Sequence, residues 1–461
     1  MSTQRRSRAT QLMVEPFDFL DFTQWDCTQA FNEHGVLRIT GLIAERNRTR
    51  YANMARREVQ VCAKALNERG SEVILFQGVL TNLSVASQHE LHTMTIEIKT
   101  GTFLLDQRPH TRTFHPSTTT YRSMIKTCLD AANGGFAMRE RRDQQARQFT
   151  VQYQESDWSF IQRLARRLGV VTFPDVRTAG KRVVLGLTPN ANAIDIDFPV
   201  YRMTQSTSDP HSLIRYERGV YHIETRDIYT LGQAVNFQEK RLVISEINSR
   251  LEGSELVHRY ALCVLRSSYS AQEPHTAIKG VAMRARVTRV SRDRVQVLIH
   301  EDENRRNSGV RWFDYATVYS TPDGTGLFAM PEVGDEVRVL FPNGNESGAY
   351  VASSVHLETQ GGRTNPNHKS WKNRQNKEIL FTPDALILTN NRGLSIELSD
   401  KRGITINSNR GIFLQSDGQI QMNSQAGVTA YGERSVALQQ GSAQVHMQDT
   451  VDIAGGKIKM N

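Results

Sequence analysis

The sequence predicts a mainly β protein with few helices, built from a mixed N-terminal part, a small β-barrel and a C-terminal β-repeat. Three observations predict this fold class. Runs of alternating apolar and polar residues recur through residues 1–275. Residues 276–357 then contain short strand-like runs without helical periodicity. Residues 379–461 carry apolar residues at a period of eight, which fits neither an isolated helix nor one long strand.

The composition indicates a multidomain protein without a membrane-spanning helix. A chain of 461 residues suggests about three domains. No run approaches the roughly 20 apolar residues that cross a bilayer. The basic N-terminus lacks the apolar region and cleavage site of a signal peptide. We therefore expect synthesis and assembly in the cytoplasm, with any later delivery outside the cell following another route.

Cysteine spacing and charge do not indicate a cofactor or a nucleic-acid ligand. No CxxC pair is present, so we expect reduced thiols at the four cysteines, Cys27, Cys62, Cys128 and Cys263. The net charge of +9 permits nucleic-acid binding. However, the basic runs lack the interleaved aromatic residues on which single strands stack. We expect no cofactor and no nucleic-acid partner.

Residues 1–275 form the first predicted domain, with strands at 36–43, 72–86 and 92–101 and two helices. The first predicted helix spans 118–135, and the second spans 155–169, with Ser156 as N-cap and Gly169 as its end. An apolar stripe supports each helix. The stripes consist of Tyr121, Met124, Ile125 and Leu129 in the first helix, and Trp158, Ile161, Leu164, Ala165 and Leu168 in the second.

Residues 276–357 form the second predicted domain, a small barrel of the OB type. Two alternating strands flank a polar turn at residues 291–293, and a second strand pair flanks a Gly/Asn-rich hairpin at 343–348. Residues 358–378 are polar and nearly free of aliphatic side chains, which is typical of a linker or an extended collar.

Residues 379–461 form the third predicted domain, whose apolar pairs recur in register. The pattern is small–aliphatic–x–apolar–polar–Ser–x–x, so each unit provides a very short strand followed by a turn. The predicted core residues are Ile396, Leu398, Ile404, Ile406, Ile412, Leu414, Ile420, Met422, Val428, Ala430, Val436, Leu438, Val445 and Met447. The last pair, Val445 and Met447, comes one residue later than the period of eight predicts.

One such unit cannot bury its apolar face alone, so the units must stack. Three units could form one coil of a monomeric solenoid, or three chains could each contribute one unit to every layer. Three chains bring six apolar side chains together per layer and leave no lateral edge strand, so we favour a homotrimer. Layers about 4.8 Å apart would give a rod on the order of 40 Å long. A simple antiparallel meander does not by itself require five consecutive units in phase.

The motifs of all three parts resemble the spike proteins of contractile injection systems, including the VgrG spike of type VI secretion and its relatives in phage tails and extracellular particles. The run "VQYQESDWSFIQRLARRLGVVTF", with its Gln-x-x-Glu-Ser-Asp start, resembles the hub domains of that family. The family's OB motif is present unaltered, as Pro331, Glu332, Val333, Gly334, Asp335, Glu336 and Val337. The octad repeat is similar to the family's triple-stranded intertwined β-helix.

The resemblance implies a homotrimeric structural hub that caps the inner tube at the baseplate and punctures a target envelope when the sheath contracts. Its implied partners are itself, the inner tube protein, baseplate proteins and, transiently, the target membrane. A small conical tip-cap protein (PAAR-like) would sit on the rim around Ile458 and Met460, and effectors could be carried. Neither a lysozyme insert nor a toxin after the needle is expected.

No residue cluster predicts catalysis or a firm metal site. The HEDE run at 300–303 lacks the second histidine of a zinc motif, and the HELH run at 89–92 lacks a third ligand. His446 is a weak metal candidate, because some family members bind an axial ion through a His-x-His pair. Here a single histidine alternates with apolar neighbours, so we expect it to face water. Two alternatives remain open: a peptidoglycan-degrading enzyme with its activity in residues 1–275, and an OB-fold nucleic-acid-binding protein.

Overall fold

The structure is a computed structural model that describes residues 9–54, 58–67, 70–115, 119–139, 143–146, 148–188, 191–205, 219–264, 275–355, 365–454 and 457. The chain divides into two compact units, residues 1–357 and 358–461. The prediction of a mainly β fold with minor helix is confirmed. Among the described residues, no helix is long and apolar enough to cross a membrane.

The first unit begins with a part whose described residues form 17 strands and three α-helices. In chain order these are β1 (Ala9–Glu15), β2 (Phe19–Ala30), β3 (Val36–Ile43), α1 (Arg48–Met54), β4 (Gln60–Asn67), β5 (Glu72–Gln88), β6 (Leu91–Lys99), β7 (Pro109–Phe114), α2 (Tyr121–Ala131), β8 (Gly135–Met138), β9 (Thr150–Ser156), α3 (Asp157–Leu168), β10 (Thr172–Pro174), β11 (Arg182–Leu185), β12 (Ile194–Asp195), β13 (Arg202–Thr204), β14 (Val220–Thr225), β15 (Ala234–Phe237), β16 (Lys240–Glu252) and β17 (Glu255–Cys263). Short 3₁₀ helices lie at Glu45–Asn47 and Gly101–Leu105.

A 12-stranded sheet unites the two ends of this part. Its order is β1-β4-β5-β6-β3-β2-β16-β17-β14-β13, and β12 and β15 attach through β16. Alternation explains the strands: Leu37 and Ile39 of β3 are fully buried, whereas Arg38 between them is exposed. The chain leaves this sheet after β6 and returns at β12. The intervening segment carries α2, α3 and β7 to β11, so the helices are an insertion between two halves of one sheet.

Helix α3 has the predicted capping residues at both ends, whereas α2 differs from its predicted bounds. The side chain of Ser156 accepts a hydrogen bond from the backbone N–H of Ser159 (3.1 Å), and Gly169 ends α3 with φ of 71°. The α2 helix is shorter than predicted, because the capping side chain of Thr120 begins it and it ends at Ala131. The α1 helix was not predicted. In α3, Phe160 is fully buried and Leu168 only half-buried, which shifts the predicted stripe.

The OB segment is a five-stranded sheet in the order β20-β19-β18-β21-β22. Its strands are β18 (Ala282–Ser291), β19 (Arg294–Ile299), β20 (Phe313–Asp314), β21 (Glu336–Leu340) and β22 (Tyr350–Val355), with 3₁₀ helices at Thr276–Ile278 and Glu346–Gly348. The predicted turn joins β18 to β19, with Arg292 at φ of 52°. The apolar core of this sheet also includes Phe149 and Val151 of the inserted segment, which attaches the OB sheet to it.

The second unit contains two antiparallel meanders. The first comprises β23 (Lys369–Lys372), β24 (Glu378–Thr382), β25 (Ala385–Thr389), β26 (Leu394–Ser399) and β27 (Gly403–Ser408), and the second comprises β28 (Val436–Gln440), β29 (Ala443–Met447) and β30 (Val451–Ala454). Residues 409–435 between them form no regular strand. Within the predicted linker, residues 369–372 form β23, and the repeat units at 394–408 pair as an antiparallel meander in the single chain.

Candidate functional site

The first meander of the second unit gathers most of its large apolar residues on one face, whereas Leu380 and Ile387 lie on the other. Cross-strand pairs define this face, since Ile396 lies opposite both Leu388 and Ile406, and Leu398 lies opposite both Leu386 and Ile404. Side chains of paired residues in antiparallel strands point to the same side of the sheet. We call this set the apolar face; it consists of Trp371, Ile379, Phe381, Leu386, Leu388, Ile396, Leu398, Ile404 and Ile406.

The apolar face is exposed in the single chain. Ile404 is 73% exposed and Ile396 is 42% exposed. On the opposite face, by contrast, the Glu397 side chain is only 17% exposed and forms an ion pair with Arg402. In a sheet with one covered face, apolar side chains are usually buried and charged side chains exposed. Here the apolar face is the more exposed of the two. Among residues 365–451, whose burial the structure describes, none is fully buried, so this part of one chain provides no core.

The middle of the repeat, residues 411–434, is exposed and has no backbone–backbone hydrogen bond to another described residue. Its predicted core residues include Leu414 at 75% and Met422 at 72% exposure. The repeating serine forms the same local turn in successive units. The N–H groups of Arg410, Gly418 and Ala426 donate to the side chains of Ser408, Ser416 and Ser424, two residues earlier. The turns of the octad are therefore present, whereas the strands between them lack partners.

A change of loop length explains the slip of the octad near its end. In the first meander, Ser399 and Gly403 form the last pair before a three-residue loop, so apolar positions repeat at eight. Between β28 and β29 the last pair is Gln440 with Ala443, which leaves a two-residue loop. Val445 and Met447 are consequently placed nine residues after Val436 and Leu438, yet lie opposite Leu438 and Val436, on the same face.

His446 lies on the other face of β29 from Val445 and Met447, because successive side chains alternate. It is half-buried, and its Nε2 lies 3.4 Å from Gln448 Oε1. No group of three or more His, Cys, Asp or Glu side chains suited to a metal is found in the described part of the chain. Its weak metal candidacy stays a prediction. Ile458 and Met460, the predicted tip residues, lie outside the described residues.

Comparison with known proteins gives two family matches in the first unit. Residues 30–236 match the model described as phage tail baseplate hub (GPD). Residues 283–356 match the model described as type VI secretion system/phage-baseplate injector OB domain. The chain belongs to the VgrG-like hub and spike proteins. As such it has the baseplate hub and spike function of a type VI secretion system or phage tail.

Solved structures share the fold of this VgrG-like chain at low sequence identity. The E. coli c3393 protein, described as a component of the type VI secretion system similar to T4 tail proteins gp27 and gp5, has 13% identity and a TM-score of 0.53, covering 75% of this chain and 100% of its own. A chain of the lidded Francisella PdpA–VgrG complex has 8% identity and a TM-score of 0.54, covering 87% of this chain and 80% of its own. No curated protein sequence matches significantly.

The Gln-x-x-Glu-Ser-Asp motif of this VgrG-like protein builds a buried polar network before α3. Arg112 Nη1 donates to Asp157 Oδ1 (2.5 Å) and to Gln152 Oε1 (2.8 Å), and both partners are buried. Glu155 accepts from Arg163 (2.8 Å), and Ser156 caps the helix. Each of the motif's four specified residues therefore has a structural partner, which explains why the helix begins at Asp157.

A second buried network fixes α3 to the OB hairpin. Glu346 accepts hydrogen bonds from Arg163 Nη1 (2.8 Å) and Arg167 Nη2 (2.7 Å), and its side chain is only 3% exposed. Burial alone would raise the pKa of the Glu346 carboxyl, but contacts with His275, Arg163 and Arg167 outweigh it and lower the pKa to about 2. No local sequence pattern predicts this network, because Arg163 and Glu346 are 183 residues apart.

The HEDE run is part of the same junction. Asp302 Oδ1 accepts from the backbone N–H of Thr113 (2.9 Å), and the Glu303 carboxylate lies 2.7 Å from His110 Nδ1. Burial raises the pKa of Asp302 above its ordinary value, against the hydrogen bonds from Thr113. These carboxylates therefore tie the OB segment to β7. In the HELH run, His92 is buried rather than on the surface, and its Nδ1 lies 2.9 Å from Ser87 Oγ.

The OB motif forms the tight turn that starts β21. Gly334 has φ of 97° and donates to Val287 O (2.8 Å), while Asp335 Oδ2 accepts from the backbone N–H of Glu332 (2.8 Å). Val337 is fully buried, and Glu336 lies 2.7 Å from His300 Nε2. Pro331 is buried, whereas Val333 is 53% exposed. The motif is thus explained by turn geometry and strand burial.

Proposed function

We propose that this hub and spike protein acts as a homotrimer that caps the inner tube at the baseplate and punctures a target envelope when the sheath contracts. The apolar face carries the proposal. Seven of the nine side chains that define this face are exposed in a lone chain and the other two are half-buried, an arrangement that soluble monomers rarely tolerate. Three copies related by a closed rotation can turn these faces inward and cover them together.

The trimer also suits a mechanical role. Strands that pair across neighbouring chains share an axial load among many backbone hydrogen bonds. The predicted core residues from Ile396 to Met447 would line the centre, and Ile458 and Met460 would form the seat of a PAAR-like cap protein. The other proposed partners are the inner tube protein, baseplate proteins and carried effectors. We propose assembly in the cytoplasm, delivery on firing, and a structural rather than enzymatic role.

Native mass measurement of the full-length chain and two charge variants tests the trimer. Ile406 is 53% exposed in the single chain, so Ile406→Asp would cost little in a monomer. In the trimer, the same change buries an unpaired carboxylate against two other chains. We expect the parent to be a trimer and Ile406→Asp to be monomeric, or a trimer that dissociates at much lower denaturant.

The matched control is Asn407→Asp, which places the same charge one residue away on the opposite face, at an exposed position that pairs with Ser395. It should remain trimeric. A monomeric parent protein would overturn the proposal, as would equal behaviour of the two variants. In producing cells, we expect Asn407→Asp to support target killing or DNA delivery, whichever the parent particle performs, and Ile406→Asp to abolish it.

A further inference from the structure

A pocket of about 300 Å³ lies in the first unit, where the inserted segment meets the loop that leads into β15 of the large sheet. Ligand pockets of proteins measure about 300 to 1,000 Å³ and are often found at such junctions, so this volume suits a small ligand. The described residues that line it are Arg139, Phe173, Pro174, Asp175, Val176, Arg177, Val184, Thr188, Ala191, Asn192, Thr230, Leu231, Gly232, Gln233 and Ala234.

Part of the pocket wall is apolar and firmly packed. Phe173, Val184 and Leu231 are buried and belong to the same hydrophobic cluster. Gly232 lets the loop before β15 approach Phe173 closely. Its φ is 76°, and a Cβ atom at this position would lie 2.9 Å from the Cζ atom of Phe173. This wall is therefore part of the core and offers a preformed apolar surface.

Two exposed arginines, Arg139 and Arg177, line the same pocket. The guanidinium of Arg139 lies over the Phe173 ring, 5.7 Å from its centroid. In the part of the chain that the structure describes, neither guanidinium forms an ion pair. The surrounding protein removes part of the water around Arg177, which lowers its pKa, and the charge of Asp175 offsets this only in part. An anion bound here would supply the missing counter-charge.

The charge of the pocket favours a ligand with a single negative charge. Asp175 is the acidic residue among the lining side chains, and its oxygens are engaged in its own turn. Its Oδ1 accepts from the backbone N–H of Arg177 (3.0 Å), and its Oδ2 accepts from the hydroxyl of Thr178 (2.7 Å). Two guanidinium groups and one carboxylate leave one net positive charge. A carboxylate balances this charge, whereas a doubly charged phosphate would exceed it beside Asp175.

We propose that this pocket binds a carboxylate carried on a short apolar body. Arg177 and Arg139 would bind the carboxylate, because the planar guanidinium group matches its two oxygens. The apolar body would lie against Phe173 and Leu231. Gln233 accepts from the backbone N–H of Thr230 through its Oε1 (2.9 Å), which leaves its amide N–H groups as further donors. The site lies in the first unit and does not depend on the proposed trimer.

Two kinds of ligand offer this chemistry: the C-terminal residue of a polypeptide and a free small organic acid. Calorimetric titration of the full-length protein with isocaproate and isocaproamide tests the shared feature, because the two probes have the same apolar body and differ in charge. We expect isocaproate to bind at millimolar concentration and the amide to bind at least about tenfold more weakly. Equal affinities, or no binding of isocaproate at millimolar concentration, would overturn the proposal.

Arginine variants assign the binding to this pocket. Arg177→Gln and Arg139→Gln should each weaken isocaproate binding by about tenfold, since each removes a charged donor. Arg108→Gln is the matched control, because Arg108 is exposed and does not line the pocket. It should bind as the parent does. Unchanged binding in both pocket variants would overturn the assignment. Thermal unfolding verifies that each variant is folded, and the comparison of acid with amide needs no variant.

A third probe distinguishes the two kinds of ligand. Acetyl-glycyl-leucine carries the same branched body and carboxylate as the end of a peptide. Tighter binding of this peptide than of isocaproate would support the proposal and identify a polypeptide C-terminus as the ligand. Equal or weaker binding of the peptide, with isocaproate bound in preference to its amide, would support the proposal and identify a free organic acid.

Discussion

Glu346 is a buried carboxylate held by two guanidinium groups of α3, so its removal leaves buried charges without a partner. We predict that Glu346→Gln lowers the free energy of unfolding of the first unit by about 3 to 5 kcal/mol, as is usual when one member of a buried ion pair is removed. Denaturant titration measures this. Glu301→Gln breaks the solvent-exposed pair with Arg284 and should cost below about 1 kcal/mol. Equal losses would contradict the assigned role of the junction.

Acid should weaken the ion pairs of Glu346 within a defined pH range. The pKa of Glu346 falls from 4.5 to about 2 on folding, so the stabilisation is fully present above pH 4.5 and is lost as the pH falls toward 2. A shift of this size corresponds to about 3 kcal/mol. The stability difference between the parent and Glu346→Gln should therefore shrink across this window. His275, Arg163, Arg167 and Glu155 surround the site and are common to both proteins, so a pH-independent difference would contradict the shift.

At the scale of single residues, the sequence predicts interactions between near neighbours in the chain but not pairs of residues that are far apart in it. Ser156 and Gly169 mark the ends of α3 through neighbours within four residues, so the sequence predicts both. Arg163 is buried beside the apolar stripe because its guanidinium is paired with Glu155 and also with Glu346, which comes from the OB hairpin. No periodicity encodes such a contact. For the same reason, the HEDE run resembles a candidate metal cluster in the sequence. Its contacts with β7 join residues that are far apart in the chain.

Among the elements, α3 offers a direct test of its C-terminal cap. Gly169 has φ of 71°, a conformation that costs a residue with a Cβ atom about 1 kcal/mol. We predict that Gly169→Ala lowers the free energy of unfolding by about that amount. Gly169→Asn should cost less, because asparagine tolerates the left-handed region better than alanine. Thermal and denaturant unfolding of the two variants check this order, and a reversed order would contradict it.

The octad repeat depends on phase, since a one-residue shift moves every later side chain to the opposite face. We predict that inserting one residue after Asp417 turns Ile420, Met422 and Val428 outward and strongly lowers the temperature at which the trimer dissociates. Inserting a full eight-residue unit at the same place keeps the phase and should preserve heat resistance. Native mass measurement on heating compares the two. Equal tolerance of both insertions would show that the apolar period has no role in assembly.

The period of the repeat predicts some features of its structure but not others. The sequence predicts the phase, the turns at serine and the inward residues from Ile396 to Met447. It did not distinguish a wound strand from a hairpin with a three-residue loop, because both return to the same face after eight residues. It also missed Trp371, Ile379, Phe381, Leu386 and Leu388, which extend the apolar face. Leu388 lies eight residues before Ile396, but the other four lie outside the octad phase.

For the whole molecule, the two units differ in where their apolar cores come from. Each of the four clusters of buried apolar residues lies in the first unit, between Val14 and Val351. We predict that a fragment of residues 1–357 retains a cooperative thermal transition by itself. None of residues 365–451, whose burial the structure describes, is fully buried, so a fragment of residues 365–461 should be unfolded at low concentration and fold only on association.

Calorimetry at several concentrations tests this difference. The unfolding temperature of the 365–461 fragment should rise with protein concentration, because association stabilises the folded chains by mass action. Combining that fragment with Ile406→Asp should remove the transition, whereas Asn407→Asp should leave it in place. A cooperative, concentration-independent transition from a monomeric 365–461 fragment would mean that one chain covers its own apolar face. The proposed needle of three chains would then lose the physical reason for its assembly.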